Sequence, residues 1–362
     1  MSISTMQQLE AFAFWRRQLL AAPMGQQLWG LDKAVEAKLM NQAPLYALSG
    51  QKVDFYVEAP LCGQPQVDLS AQYFAEAFAE DNPLQGLKVE QEGDFFHFYA
   101  KALATSKREL LRHSNLYLEA DITDESEPKV ASFINLSGDF VEVLLPSVLA
   151  YRGRLKQLPP VRTLLEKVQE WCKPWHFGFM ESRDIRPLRL VLILKRGLQD
   201  LAKVLECIDA PPIPRAGREL LEKIDALGMF KFMLDLDVLE DGCLGDTIGV
   251  ELIFMNAIYP ATQQALVKSE GFARLCKLLQ GARVADQRME GLPNMIMAAP
   301  VDTRADTYIY SRISHFKLRW QAGEALPAKV YLQMRLVKQQ SCINEAWGYK
   351  KVFLNGEGNK HE

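Results

Sequence analysis

From residue 159 to 336 the chain alternates amphipathic helices with pairs of strand-length segments joined by tight turns, and that order restricts the sheet it can build. Strands joined by a short turn pair antiparallel, whereas a parallel sheet needs a long crossover between each strand and the next. A doubly wound nucleotide-binding fold is therefore excluded, and neither a G-x-G-x-x-G nor a Walker glycine loop is present. The expected class is α+β, with antiparallel hairpins and helices in αββα repeats. Three hairpins spaced by helices close into a barrel wrapped by helices, which removes exposed edges. The alternative is an open antiparallel sheet with helices on one face.

The pattern predicts a helix from Pro160 to Trp171, a hairpin of Trp175 to Glu181 with Leu188 to Arg196, and helices over 198–208 and 214–227 closed by Gly228. A second hairpin pairs 229–239 with 247–255 through Asp241-Gly242, Pro260 opens a helix reaching Gln280, and a third pairs 307–320 with 328–336 through Gly323. Earlier in the chain, residues 1–40 read as helical and Lys52 to Glu58 as a strand. Asp68 to Glu80 carries Tyr73, Phe74 and Phe78 at helical spacing. Strands are expected at 87–90, 94–101, 116–122, 131–135 and 140–145. The organisation expected is one domain: an N-terminal part (1–67), two αββ units (68–158 and 159–337) and a tail (338–362).

Side chains alternate across a strand, so each hairpin sorts into two faces. Phe230, Phe232, Leu234, Leu236 and Val238 form one face and Lys231, Met233, Asp235 and Asp237 the other; the partner strand sets Ile248, Val250, Leu252 and Phe254 against Gly249, Glu251 and Ile253. In the last hairpin, His315, Lys317 and Arg319 share a face, as do Lys329, Tyr331, Gln333 and Arg335, while Arg189 and Lys195 share one in the first. On an open sheet these polar faces meet water. In a closed barrel they line a lumen, and Arg189, Lys195, Lys317, Arg319, Lys329 and Arg335 then form a basic cage suited to phosphate or diphosphate, with Tyr331 and Tyr308 or Tyr310 as donors. The acids Asp235, Asp237 and Glu251 are placed elsewhere in that lumen, segregated from the basic set at 315–335.

Lys329-Val330-Tyr331, facing Lys317-Leu318-Arg319 across a hairpin within this αββα order, resembles the ABBA or PT-barrel prenyltransferases, including the indole and cyanobactin-type peptide enzymes. The resemblance implies transfer of an allylic group from a prenyl diphosphate to an aromatic small molecule or peptide side chain in specialised metabolism. It implies Lys317, Arg319, Lys329 and Tyr331 as diphosphate contacts and Glu251 or Asp235 as the base. His315, in a charged strand setting, is a further catalytic candidate. The competing reading is a non-catalytic accessory protein that holds a peptide or an anion in the same cavity, and a third is another α+β transferase sharing only the basic hairpin.

No cofactor is required on this reading. Asp235-Leu236-Asp237 puts two carboxylates on one face; it reads as an unmetallated polar pair, with Mg²⁺ at a bound phosphate as the alternative. The 42 Lys+Arg against 45 Asp+Glu argue against a nucleic-acid surface spread over the protein, and no apolar run approaches a membrane span. Six scattered cysteines form no C-x-x-C pair and no Ser/His/Asp or Cys/His arrangement stands out. A cytoplasmic location is expected.

Overall fold

The structure, a computed structural model, describes Ala13 and residues 53–64, 67–74, 115–121, 130–135, 140–180, 186–255, 260–300 and 307–338. Apart from Ala13, which is helical, the helix expected in residues 1–40 lies outside these residues, as do the strands expected at 87–90 and 94–101 and the C-terminal tail beyond Lys338.

Among the described residues, eleven strands form one antiparallel sheet. They are β1 (Val53–Pro60), β2 (Asp68–Phe74), β3 (Asn115–Asp121), β4 (Val130–Asn135), β5 (Cys172–Phe179), β6 (Leu188–Leu194), β7 (Phe230–Val238), β8 (Leu244–Phe254), β9 (Met297–Pro300), β10 (Thr307–Gln321) and β11 (Glu324–Lys338). Each of β1 to β8 pairs with the next, β8 pairs with β10, β10 with β11, and β11 returns to β1, so ten strands close a barrel. β9 adds to the free part of β10 at Tyr308–Ser311, beyond the stretch that β8 occupies. The closed alternative holds, and β1, from the segment read as N-terminal to the αββ units, supplies the closing strand.

Outward faces are apolar and packed beneath helices α1 (Phe140–Tyr151), α2 (Leu158–Val168), α3 (Leu198–Cys207), α4 (Arg215–Asp225), α5 (Pro260–Val267), α6 (Glu270–Gly281) and α7 (Arg288–Gly291). None of the described helices is long and apolar enough to cross a membrane. The turn between β10 and β11 is two residues, Ala322 (φ 48°) and Gly323 (φ 84°), between the paired Gln321 and Glu324. Two positive φ values in succession match the twist of the flanking strands.

Three expectations are corrected. Asp68–Phe74 is a strand, since Leu69, Ala71 and Tyr73 are buried outward while Asp68, Ser70 and Gln72 take the other face, a period of two that the aromatic spacing obscured. Phe140–Leu145 belongs to α1, which buries Val141, Leu144, Leu145, Val148 and Leu149; a short apolar run does not distinguish strand from helix. The helix expected from Pro260 to Gln280 is two, because the Ser269 hydroxyl accepts from the Phe272 amide and starts α6 afresh.

Close approach of α4 to the barrel depends on Gly217. A Cβ there would stand 2.6 Å from Trp320 Nε1 and 2.8 Å from Ile213 Cγ2. Gly217→Val is expected to lower stability by about 1–3 kcal/mol through overpacking, read as a fall in the urea midpoint, and an unchanged midpoint would refute this packing.

Candidate functional site

Lumen-facing residues follow from register. On β10 and β11, Lys317 lies directly opposite Lys329, and His315 opposite Tyr331; a register shift between Ile313 and His315 brings both Arg312 and His315 to the inner face. Lys317 is also paired with Glu251 of β8, and Arg319 with Gly249. Across β6 and β7, Arg189 is opposite Asp237.

The cations are not segregated from the acids, contrary to the expectation. Arg189 makes a two-pronged ion pair with Asp237, at 2.8 Å (Nε to Oδ1) and 3.0 Å (Nη2 to Oδ2). Lys317 Nζ contacts Asp235 Oδ2 and lies 3.5 Å from Glu251 Oε1. Lys329 Nζ contacts Glu58 and lies 3.7 Å from Asp68. Arg335 grips Asp54 through Nε and Nη2 at 2.6–3.0 Å, and Gln333 Nε2 donates to the same carboxylate at 2.6 Å. Burial enforces this interleaving, because an ion taken largely out of water needs a partner close by. Gly249 leaves room for the central pair: a Cβ there would lie 2.9 Å from Asp235 Cβ and 3.1 Å from Lys317 Cε.

Arg319 differs. Its Nε is buried with no hydrogen-bond partner, it forms no ion pair among the described residues, and burial lowers its pKa from the ordinary value. Lys195 is not brought to the lumen; it lies exposed past the end of β6, where Nζ donates to the Gln169 carbonyl at 2.6 Å and caps the C-terminus of α2. Tyr308 and Tyr310 follow Arg312 on the inner face of β10, at the end remote from Arg319.

Between these pairs lies a cavity of about 100 Å³, lined by Tyr56, Ser70, Tyr117, Glu119, Phe133, His176, Arg189, Val191, Glu251, His315, Lys317 and Tyr331. The half contributed by β1 to β5 was missed in the sequence reading. The Asp54-Tyr56-Glu58 and Tyr117-Glu119 alternations are its signal. His315 stacks on Tyr331 with ring centroids 4.0 Å apart, and its Nε2 stands 3.8 Å from Glu251 Oε2. His176 meets Tyr117 edge-on at 5.0 Å, and its Nδ1 is buried without a hydrogen-bond partner.

Burial drives both imidazoles down to about 3, with Lys317 adding to the effect at His315 and His315 at His176, so both rings are neutral at ordinary pH. Burial, reinforced by Glu251, raises Asp235 to about 6. Between pH 6.5 and 3 the unfolded chain binds protons at these histidines that the folded chain refuses, so folding stability falls as pH drops below 6.5. Asp235 acts oppositely between about 4 and 6, one group against two. The urea midpoint should fall between pH 7 and 5, and His176→Phe should flatten that fall; a midpoint that rises on acidification would contradict this.

Asp235 and Asp237 do not fit a magnesium site as arranged, since each carboxylate is already held by a protein cation, Lys317 and Arg189. Among the described residues no group of three or more His, Cys, Asp or Glu side chains is placed to hold a metal ion.

No protein-family model matches the sequence, and no curated protein matches it. Solved structures do match in fold. The prenyltransferase PriB, in a ternary complex with L-tryptophan and dimethylallyl thiolodiphosphate, superposes at TM-score 0.53 with 12% identity, over 92% of this chain and 96% of that one. AnaPT from Neosartorya fischeri gives 0.53 at 10% identity, over 91% and 94%. The 5-dimethylallyltryptophan synthase of Streptomyces coelicolor gives 0.51 at 11%, over 90% and 96%. With its ten-strand closed ring under a layer of helices, the chain has the PT-barrel fold of the ABBA prenyltransferases.

Proposed function

We propose that this protein transfers an allylic group from a prenyl diphosphate to an acceptor held in the barrel lumen. The observation that carries this reading is the Lys317–Lys329 pair, directly opposed on neighbouring strands, with Arg319, which forms no ion pair among the described residues, beyond. Like charges opposite each other destabilise a sheet. Two lysines and a half-buried arginine whose Nε has no hydrogen-bond partner share one patch of inner wall, and together they suit an anion of several charges.

A diphosphate there leaves Asp235 and Glu58 competing with it for the lysines, while Arg319 gains its first partner. These cations stabilise the negative charge that develops on the leaving diphosphate as the allylic C–O bond breaks. Tyr331, Tyr56 and Tyr117 supply π-faces towards an allylic cation, in the manner of cation–π contacts. Glu251 and the neutral His315 are the groups placed to accept the acceptor's proton, with Asp235 one strand away. A role in specialised metabolism and an aromatic or peptide acceptor belong to the same proposal, supported by PriB having been captured with L-tryptophan and a thiolodiphosphate.

The test is incubation with dimethylallyl or geranyl diphosphate and a panel of aromatic, peptide and basic acceptors, following diphosphate release and product mass. A mass gain of one prenyl unit, lost in Lys329→Ala, is the expected result. Absence of both product and diphosphate release across the panel would overturn it in favour of an accessory protein that only binds.

A further inference from the structure

A diphosphate entering the lumen meets cations that already hold carboxylates. Arg189 is gripped by both oxygens of Asp237, Lys329 contacts Glu58, and Lys317 contacts Asp235 with Glu251 at 3.5 Å. The side chains of Lys317 and Asp235 are 5% and 4% exposed. Drawing the Lys317 ammonium towards a new anion therefore strands a carboxylate that water barely reaches, which costs far more than the same exchange at a surface.

Asp235 is fixed in place. Its Oδ1 is buried without a hydrogen-bond partner, and Gly249 packs so closely that a Cβ there would stand 2.9 Å from Asp235 Cβ and 3.0 Å from Oδ2. The ionisable groups around it are Arg189 of β6, Glu251 of β8, Lys317, Arg319 and His315 of β10, and Tyr331 of β11. Burial keeps His315 and Tyr331 neutral at ordinary pH. Glu251 opposes the charge on Asp235, and the cations that offset it, Lys317 and Arg189, are among those a diphosphate would claim.

We propose, resting on the lumen as the donor site, that diphosphate binding is coupled to uptake of one proton by Asp235: the anion takes over Lys317, and the proton neutralises the carboxylate left behind. The exchange balances. One ammonium trades a carboxylate for a phosphate oxygen, and the carboxylate becomes a carboxylic acid with one O–H to donate. Burial, reinforced by Glu251, already holds Asp235 at about 6, so about a tenth of the free protein is protonated there at pH 7. An anion that binds only this fraction loses the corresponding factor in apparent affinity. Asparagine, a neutral stand-in for the protonated acid, removes that loss.

The experiment is calorimetric titration of dimethylallyl thiolodiphosphate, and separately of inorganic diphosphate, into the intact wild type and Asp235→Asn at about pH 7 and 6. The titrations at the higher pH are repeated in a second buffer of different ionisation heat, which counts the protons exchanged. Ionisation of the ligand is common to both proteins, so the difference between them belongs to Asp235. Lys329, lowered by burial to about 8, is already largely charged at pH 7. The wild type should take up close to one proton more per ligand than the variant. Asp235→Asn should bind about tenfold tighter at pH 7 and about twofold tighter at pH 6, whereas loss of a carboxylate that only supports the fold would weaken binding. If the variant fails to fold, the wild type decides alone: a phosphate's last proton, with a pKa of about 6, is mostly gone at pH 7, so net uptake there comes from the protein.

Thiolodiphosphate bound by the wild type without net proton uptake, or bound no tighter by the variant, overturns the inference and leaves prenyl transfer standing. Inorganic diphosphate bound together with the proton while the thiolodiphosphate is refused upholds the coupling and overturns prenyl transfer. Binding of neither ligand overturns both.

Discussion

Lys317→Met is expected to destabilise the protein by about 3–5 kcal/mol at pH 7.5, the cost of removing one partner from a buried ion pair. Lys317 and Asp235 are both 5% or less exposed in their side chains, and Glu251 is 12% exposed. Without the ammonium, two buried carboxylates face each other with no cation between them. Asp235, already raised to about 6, must then rise further, so the loss should shrink as pH falls through 6 and Asp235 takes up a proton. Denaturant midpoints at pH 7.5 and 5.5 measure this directly. The double variant Lys317→Met/Asp235→Leu should recover much of the loss, because replacing both members of a buried pair with apolar groups is often neutral. A single variant as stable as the wild type would show that the pair is not desolvated, and the barrel would be open to water at its centre.

Arg335→Ala is the second large effect. β1 and β11 are the two ends of the described barrel in sequence, and their contact closes the ring. At that seam Asp54 is fully buried and receives both prongs of Arg335 together with Gln333 Nε2. Gln333 also donates to the Tyr56 hydroxyl, which in turn donates to Gln72 at 2.6 Å, so the network runs from β11 through β1 to β2. Removing the guanidinium leaves a buried carboxylate with one neutral donor, at an expected cost of about 3–5 kcal/mol. The measurement is the urea midpoint together with amide exchange of β1 and β11, which should lose protection ahead of β7 and β8. A cost within about 0.5 kcal/mol, the range of an ordinary surface change, would mean that the seam does not depend on this pair.

The parts of this fold legible in the sequence were those whose evidence is local. Around Phe230–Val238 and Phe316–Trp320 the alternation of apolar and charged residues is unbroken, and the turns carry their own signal in Asp241-Gly242 and Gly323. Both hairpins and both faces read correctly. At Asp68–Phe74 the lumen side is Asp68, Ser70 and Gln72, and at Phe140–Leu145 the run is apolar almost throughout; neither carries a period that a window can separate.

For the site, sequence placed Arg189, Asp235, Asp237, Glu251, His315, Lys317, Arg319, Lys329, Tyr331 and Arg335 on inward faces. It could not place Asp237 against Arg189, or Asp235 against Lys317. Those pairings depend on strand register across three connections, not on any one strand. The carboxylates of β1 to β3 escaped because Glu58 and Lys329 are 271 positions apart and meet only when the ring closes.

Arg319 separates binding from folding, because among the described residues it holds no ion-pair partner whose charge its removal would expose. The most direct measurement is calorimetric titration of dimethylallyl thiolodiphosphate into the wild type and Arg319→Ala, with the urea midpoint of each recorded alongside. A lumen built for a prenyl diphosphate predicts saturable one-to-one binding by the wild type, at least tenfold weaker binding by the variant, and midpoints that agree. No heat of binding from the wild type, or equal affinity in the two proteins, would contradict it.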